Sequence, residues 1–162
     1  MSGVTSTILV LFDIDGTLLH SLGAGVRGMN RAFSELHGWT AALAEVPVAG
    51  RTDRAIVADV FQRRGVEDAR ERVRALRDAY LASLPEELAK GTRESYVLPG
   101  VEAALDSLDG DERFTVALLT GNFETGARLK LEAAGLWGRF VFGAYGDDDI
   151  NRRDLVRVTM DR

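Results

Sequence analysis

The sequence predicts an α/β fold in which a parallel sheet is interrupted, after its first strand, by a long helical insertion. Three observations carry this. The run Ile8-Leu9-Val10-Leu11-Phe12 is short and apolar and ends abruptly at Asp13-Ile14-Asp15-Gly16, as expected of a strand buried on both faces and central in a parallel sheet. The run Phe114 to Leu119 has the same character and leads through Thr120-Gly121-Asn122 straight into a helical pattern. Between the two runs, apolar residues recur only at helical spacing.

The first strand sets the site. Side chains two apart in an extended segment point the same way, and ligands of open α/β sheets bind beyond the carboxyl ends of the strands. Asp13 and Asp15 are therefore expected to face one site. Like charges at 4 Å repel by roughly 4 kcal/mol at an effective dielectric of 20. A hard divalent ion relieves that repulsion, and Mg²⁺ is commonly held by one or two carboxylates plus substrate phosphate. A hairpin at Asp15-Gly16 would need a second alternating strand, but Leu18-Leu19 gives way to His20, Ser21 and glycines. A calcium loop counted from Asp13 would need Gly and Glu where Leu18 and Ala24 stand.

After this strand, Val26, Met29, Phe33 and Leu36 mark an amphipathic helix that Gly38 stops. Trp39 to Ala49 contains Pro47 and has no clear period, which predicts a loop with a short helix. Ile56, Val57, Val60 and Phe61 predict a helix over about 53–64, closed by Gly65; Val73, Leu76, Tyr80 and Leu84 predict the next. The dense charges from Glu67 to Asp78 read as its solvated face. Pro99-Gly100 resets the chain before a helix with Val101, Leu105 and Leu108, and the second strand follows. Phe123, Ala127, Leu131 and Ala134 share one face of the helix after it. The expected division is an α/β core of residues 1–20 and 95–162 with a helical segment, 21–94, inserted between.

Composition removes several chemistries. The 162 residues are 46% hydrophobic and 28% charged, ordinary values for a globular chain. There is no cysteine, which excludes disulfides, thiol nucleophiles and Cys-ligated zinc. His20 and His37 are the only histidines, so a histidine metal centre or a Ser-His-Asp triad is not expected. A net charge of −5 without a basic run argues against nucleic-acid or anionic-membrane partners. The N-terminal apolar run is too short for a signal peptide and no segment is long enough to span a bilayer, so a cytoplasmic location is expected.

The hydrophobic strand followed by Asp13-Ile14-Asp15-Gly16-Thr17-Leu18 resembles the first motif of the haloacid dehalogenase-like (HAD) superfamily, in its phosphatase branch. The resemblance implies a Rossmann-like core with a helical cap. It also implies Mg²⁺-dependent hydrolysis of a small phosphorylated metabolite, of the kind phosphoglycolate phosphatases act on. Asp13 would be the nucleophile that forms an aspartyl-phosphate and a Mg²⁺ ligand; Asp15 would be the general acid/base, with its backbone carbonyl on the metal. The second Asp is absent from the true dehalogenases of the superfamily, so it favours phosphate over halide.

Thr120, at the end of a strand and before a helix, resembles the second motif. Free N–H groups and the dipole at a helix start suit an anion, and the resemblance implies that Thr120, Gly121 and Asn122 contact phosphate. The alternative is an ordinary turn with Asn122 as N-cap. For the third motif, a basic residue paired with the nucleophile, Arg152 is the expected residue, with Arg153 beside it; Lys130 is the other candidate, but in mid-helix it is read as solvated surface. A permanent charge and a fork of donors fit Arg152 for that work. Gly50-Arg51-Thr52-Asp53 resembles a cap loop facing the site, which would make Arg51 a substrate contact with a preference for a second anionic group, and Thr52 or Asp53 an N-cap.

Asp147, Asp148 and Asp149 do not fit a calcium loop, since Arg152 and Val158 occupy its required Gly and Glu positions. They stand as candidates for the family's acidic fourth motif; otherwise the chain has none. Only ten residues follow Arg152, so the sequence reads as most of a HAD core shortened at its C-terminus. An open sheet edge is then expected to promote self-association. The rival readings are a phosphomutase of the same superfamily and a catalytically weak or silent binding module with the same fold.

Overall fold

A computed structural model describes residues 7–162. Three parallel strands, β1 (Ile8–Phe12), β2 (Phe114–Leu119) and β3 (Gly143–Ala144), form one sheet in the order β1-β2-β3. Ile8 to Phe12 pair in register with Phe114 to Leu118, and Leu118-Leu119 pair with Gly143-Ala144. The position of β1 differs from expectation. It is the edge of this sheet and β2 is its centre, so Ile8 is 53% exposed and the rest of β1 is half-buried. An apolar run alone does not distinguish a strand covered on both faces from one whose apolar residues serve fewer neighbours.

Immediately after β1 the chain closes a tight turn. The N–H groups of Thr17, Leu18 and Leu19 all donate to the carbonyl of Ile14, and Gly16 N–H donates back to that of Leu19. Gly16 takes φ +79°, a conformation in which a side chain is strained. Ile14, Leu18 and Leu19 are thereby driven into the core while Asp13 and Asp15 stay at the strand's end. The chain then leaves for the helical segment and returns beside its own exit: His20 N–H donates to Tyr96 and Leu98 N–H to Leu18.

Between exit and return lie α1 (Ala24–His37), α2 (Asp53–Arg63), α3 (Arg70–Leu88) and the single turn α4 (Arg93–Tyr96). The segment 39–50 is a string of turns rather than a loop with a helix. It is pinned by Asn30 Oδ1 accepting from Leu43 N–H, and by Trp39, whose ring stacks on His37 at 4.6 Å beside Phe33 and Phe61. His37 is therefore a member of an aromatic cluster. The face that α1 buries is also rotated from the one predicted. Ala24, Gly28, Met29, Ala32 and Phe33 are buried, while Val26 and Leu36 are exposed. The reason is close approach to α3: a Cβ on Gly28 would lie 3.2 Å from the Tyr80 ring and 3.3 Å from Ser83 Oγ. Small residues, rather than large apolar ones, define this contact.

The core side of the sheet is completed by α5 (Val101–Leu108), α6 (Glu124–Ala133), a 3₁₀ turn at Trp137–Arg139 and α7 (Leu155–Asp161). Phe123, Ala127, Leu131 and Ala134 of the α6 region are buried, as their spacing predicts. Helix α6 packs against α3 through Gly126, which meets Leu81, Leu84 and Tyr80, so one apolar cluster runs through both the sheet region and the inserted helices. No helix among the described residues is long and apolar enough to cross a membrane.

Overfilling the α1–α3 contact tests this arrangement. Gly28→Leu is expected to lower stability by about 1–3 kcal/mol, because the added atoms meet Tyr80 and Ser83 in a closed interface. Urea unfolding with an unchanged m-value measures it.

Candidate active site

Beyond the carboxyl ends of β1 and β2 lies a cavity of about 390 Å³ with Asp13, Asp15, Asn122, Lys130 and Arg152 on its wall. The two carboxylates do face one site, and each has a cation. Arg152 Nη2 is 2.6 Å from Asp13 Oδ2. Lys130 Nζ donates to both oxygens of Asp15, at 2.9 and 2.7 Å, and to Asn122 Oδ1 at 2.6 Å. The repulsion expected between the aspartates is thus relieved by protein cations.

Lys130 corrects the expectation of a solvated mid-helix residue: it is only 4% exposed. Its position was legible in the periodicity, because Lys130 sits three residues after Ala127 and four before Ala134, both on the buried face. An ammonium so enclosed needs partners for its charge and its donors, and Asp15 and Asn122 supply them. Burial by itself raises the Asp15 carboxyl; the charge and hydrogen bonds of Lys130, with Asn122 and Ser21, outweigh it and hold Asp15 below the usual carboxylate range.

Asn122 links the two strands' ends. Its Nδ2 donates to Asp15 Oδ2 and to Thr120 Oγ1, each at 2.8 Å. It does not cap α6. That work falls to two carboxylates from elsewhere, Asp53 accepting from Phe123 N–H at 2.9 Å and Asp147 from Glu124 N–H at 2.6 Å, where negative charge suits the helix start. Thr120 is fully buried and lies beneath Asn122, off the cavity wall. Gly121 is on the wall, and nothing larger fits there: a Cβ would stand 2.2 Å from the Arg51 carbonyl oxygen. Asp53 N–H donates to the Gly121 carbonyl at 2.7 Å, so the loop before α2 is seated directly on the turn after β2.

Thr52 is the N-cap of α2, accepting from Ala55 N–H and donating to the Ile150 carbonyl. Arg51 reaches the cavity wall, but its guanidinium is committed to Asp59 at 2.7 Å and to the carbonyls of Pro47 and Ala55. Arg153 is not on this wall. The residues that sequence reasoning passed over are Lys130, Asp53, Tyr80, His20 and Ser21, all of which line the cavity.

Asp147, Asp148 and Asp149 lie on a separate groove. Asp147 pairs with Arg77, Asp148 accepts from Tyr145 N–H and pairs with Arg162, and Asp149 accepts from Asn151 N–H. Among the described residues no group of three or more acidic or histidine side chains converges as a metal site. The acidic residues on the wall are Asp13, Asp15 and Asp53, with the Asp15 carboxylate engaged by Lys130 and Asn122. That donor set fits Mg²⁺ only in the form that borrows its remaining ligands from water and substrate.

The haloacid dehalogenase-like hydrolase family matches residues 9–157, and the chain belongs to it. No curated protein matches the sequence. Among solved structures, CbbY from Rhodobacter sphaeroides in complex with phosphate is 19% identical, with a TM-score of 0.68 over 94% of this chain and 70% of its own. A predicted phosphatase from Clostridium acetobutylicum is 18% identical, with a TM-score of 0.64 over 96% of this chain and 70% of its own. A predicted phosphoglycolate phosphatase from Haemophilus somnus is 18% identical, with a TM-score of 0.59 over 92% and 67%. At these identities the likeness is one of fold.

Asp53 generates a prediction about pH. Burial, first of all, pushes its carboxyl up to about 6 against the pull of Lys130 and of the Phe123 N–H. A raised carboxyl binds its proton more tightly when folded than when unfolded, so its contribution to stability is complete below the usual value of 3.8 and is lost as pH rises through about 6. Asp53→Asn is expected to remove this loss: thermal unfolding from pH 4 to 7 should show a falling Tm in the parent relative to the variant.

Proposed function

We propose that this chain is a phosphomonoester hydrolase that works through an aspartyl-phosphate on Asp13, with residues 21–94 acting as a helical cap over the core. The observation that carries the reading is the matched pairing of Asp13 with Arg152 and Asp15 with Lys130 and Asn122 on one cavity wall. The phosphatase reading also agrees with the described functions of the structural relatives.

In the first step an Asp13 oxygen attacks phosphorus, the ester oxygen leaves, and Asp15 delivers the proton that oxygen needs. In the second, Asp15 accepts a proton from water as the water attacks phosphorus, and the Asp13 carboxylate is released. Arg152 holds Asp13 in place and offers its permanent charge to the phosphoryl oxygens. The Gly121 backbone lies on the same wall. Mg²⁺, when bound through Asp13 and the Asp15 carbonyl, supplies charge neutralisation for the phosphoryl group. Lys130 orients Asp15 and favours its ionised form, the form that accepts the proton from water; for the first step Asp15 carries a proton taken up from solvent or kept from the preceding turnover.

Asp13→Asn preserves shape and removes the nucleophile. Hydrolysis of p-nitrophenyl phosphate in Mg²⁺ should fall by several orders of magnitude, and trapping of an acyl-phosphate by hydroxylamine should disappear with it. Retained turnover in that variant would overturn the assignment.

Lys130→Met removes the ammonium and keeps the stem. We expect kcat to drop about 10²-fold and the Asp15-controlled limb of the pH profile to move upward, because the main influence lowering Asp15 is gone. Circular dichroism at the assay temperature separates this from unfolding.

A further inference from the structure

The cavity has a second half that the chemistry above does not use. Besides the charged residues, its wall carries Val26, Met29, Val48, Ala49 and Ile56. Met29 and Ile56 are buried. Val26 and Val48 are 40% and 37% exposed, large apolar side chains on the wall of the same cavity. A surface valine needs no explanation alone, but two on one cavity wall together with Met29 and Ile56 form a lining suited to an apolar group.

The charges of the wall point the same way. Its permanent cations are Arg51, Lys130 and Arg152, and each is already engaged: Arg51 by Asp59 and two carbonyls, Lys130 by Asp15 and Asn122, Arg152 by Asp13. A phosphoryl group arriving at Asp13 draws on Arg152. Nothing positive then remains for a second anion, which would sit instead near the carboxylate of Asp53, and a desolvated charge without a partner is strongly disfavoured. The remaining polar side chains there, Tyr80 and His20, offer hydrogen bonds rather than a fixed charge.

Resting on the phosphatase reading, we infer that the substrates of this site are phosphate monoesters of uncharged, largely apolar alcohols, with the leaving group lying against Val26, Met29, Val48 and Ile56. Esters carrying a carboxylate or a second phosphate are rejected by the absence of a free cation on that wall. Tyr80, deep in the cavity, supplies one neutral donor for a hydroxyl or ether oxygen on such an alcohol.

The test is a matched pair of substrates, n-hexyl phosphate and 6-phosphonooxyhexanoate, assayed with Mg²⁺ near pH 8, where an ordinary imidazole is neutral. The kcat/KM for the hexyl ester is expected to exceed that of its carboxylate analogue at least tenfold in the parent chain. Val26→Lys and Val48→Lys place an ammonium at an exposed wall position without disturbing the core, and each is expected to cut the ratio by tenfold or more. A parent ratio of one or below overturns the inference and leaves the phosphatase reading standing. A ratio that neither lysine variant moves overturns the placement of the leaving group on this wall. If neither ester is turned over while p-nitrophenyl phosphate is, this inference fails and the phosphatase reading stands; if the folded chain hydrolyses none of the three, both fail.

Discussion

The ammonium of Lys130 is the interaction on which the site depends. It is buried on α6, the helix that also carries the packing of the sheet against α3, so it cannot swing to solvent without opening that contact. Its three hydrogen bonds end on Asp15 and Asn122, residues from the ends of two neighbouring strands. A buried charge with one partner removed costs several kcal/mol, so the relative positions of β1, β2 and α6 are tied to this one group. Asp15 is in consequence held and aimed before any substrate is present.

The second constraint is backbone packing. Gly121 and Gly146 sit where a Cβ would collide with a passing carbonyl, Arg51 in one case and Gly121 in the other. Three loops, before α2, after β2 and after β3, therefore meet within van der Waals contact. Two carboxylates, Asp53 and Asp147, cap α6 across these loops. The helical segment is fastened to the core both there and where 18–20 run beside 96–98. An attachment of this kind brings Val26, Met29, Val48 and Ile56 of the helical segment to the cavity that holds the carboxylates.

Much of this was legible in the residues before the structure. Strand ends at Asp13 and Thr120, the helix over 53–63, the burial of Phe123, Ala127, Leu131 and Ala134, and the N-cap at Thr52 all follow from local patterns, and the structure has them. The pairing of Arg152 with Asp13 was anticipated by resemblance and not by spacing. The rotated face of α1 was not legible, because hydrophobic periodicity counts large side chains and this contact is made by glycines fitting a tyrosine ring. The commitment of Arg51 to Asp59 was hidden for a similar reason: an ion pair across eight residues depends on how a loop enters a helix.

By itself the sequence determined which residues form strands and helices and which carboxylates end the first strand, since both depend on interactions between near neighbours along the chain: apolar period, turn chemistry and capping. Only the tertiary structure decided that β1 is an edge, that Lys130 is interior, that Asp147 to Asp149 belong to another groove, and that the cations of the cavity are already spoken for. Each of these depends on distances between residues far apart in sequence. Charge and burial act through space, and a one-dimensional pattern contains no such distances until the chain has folded.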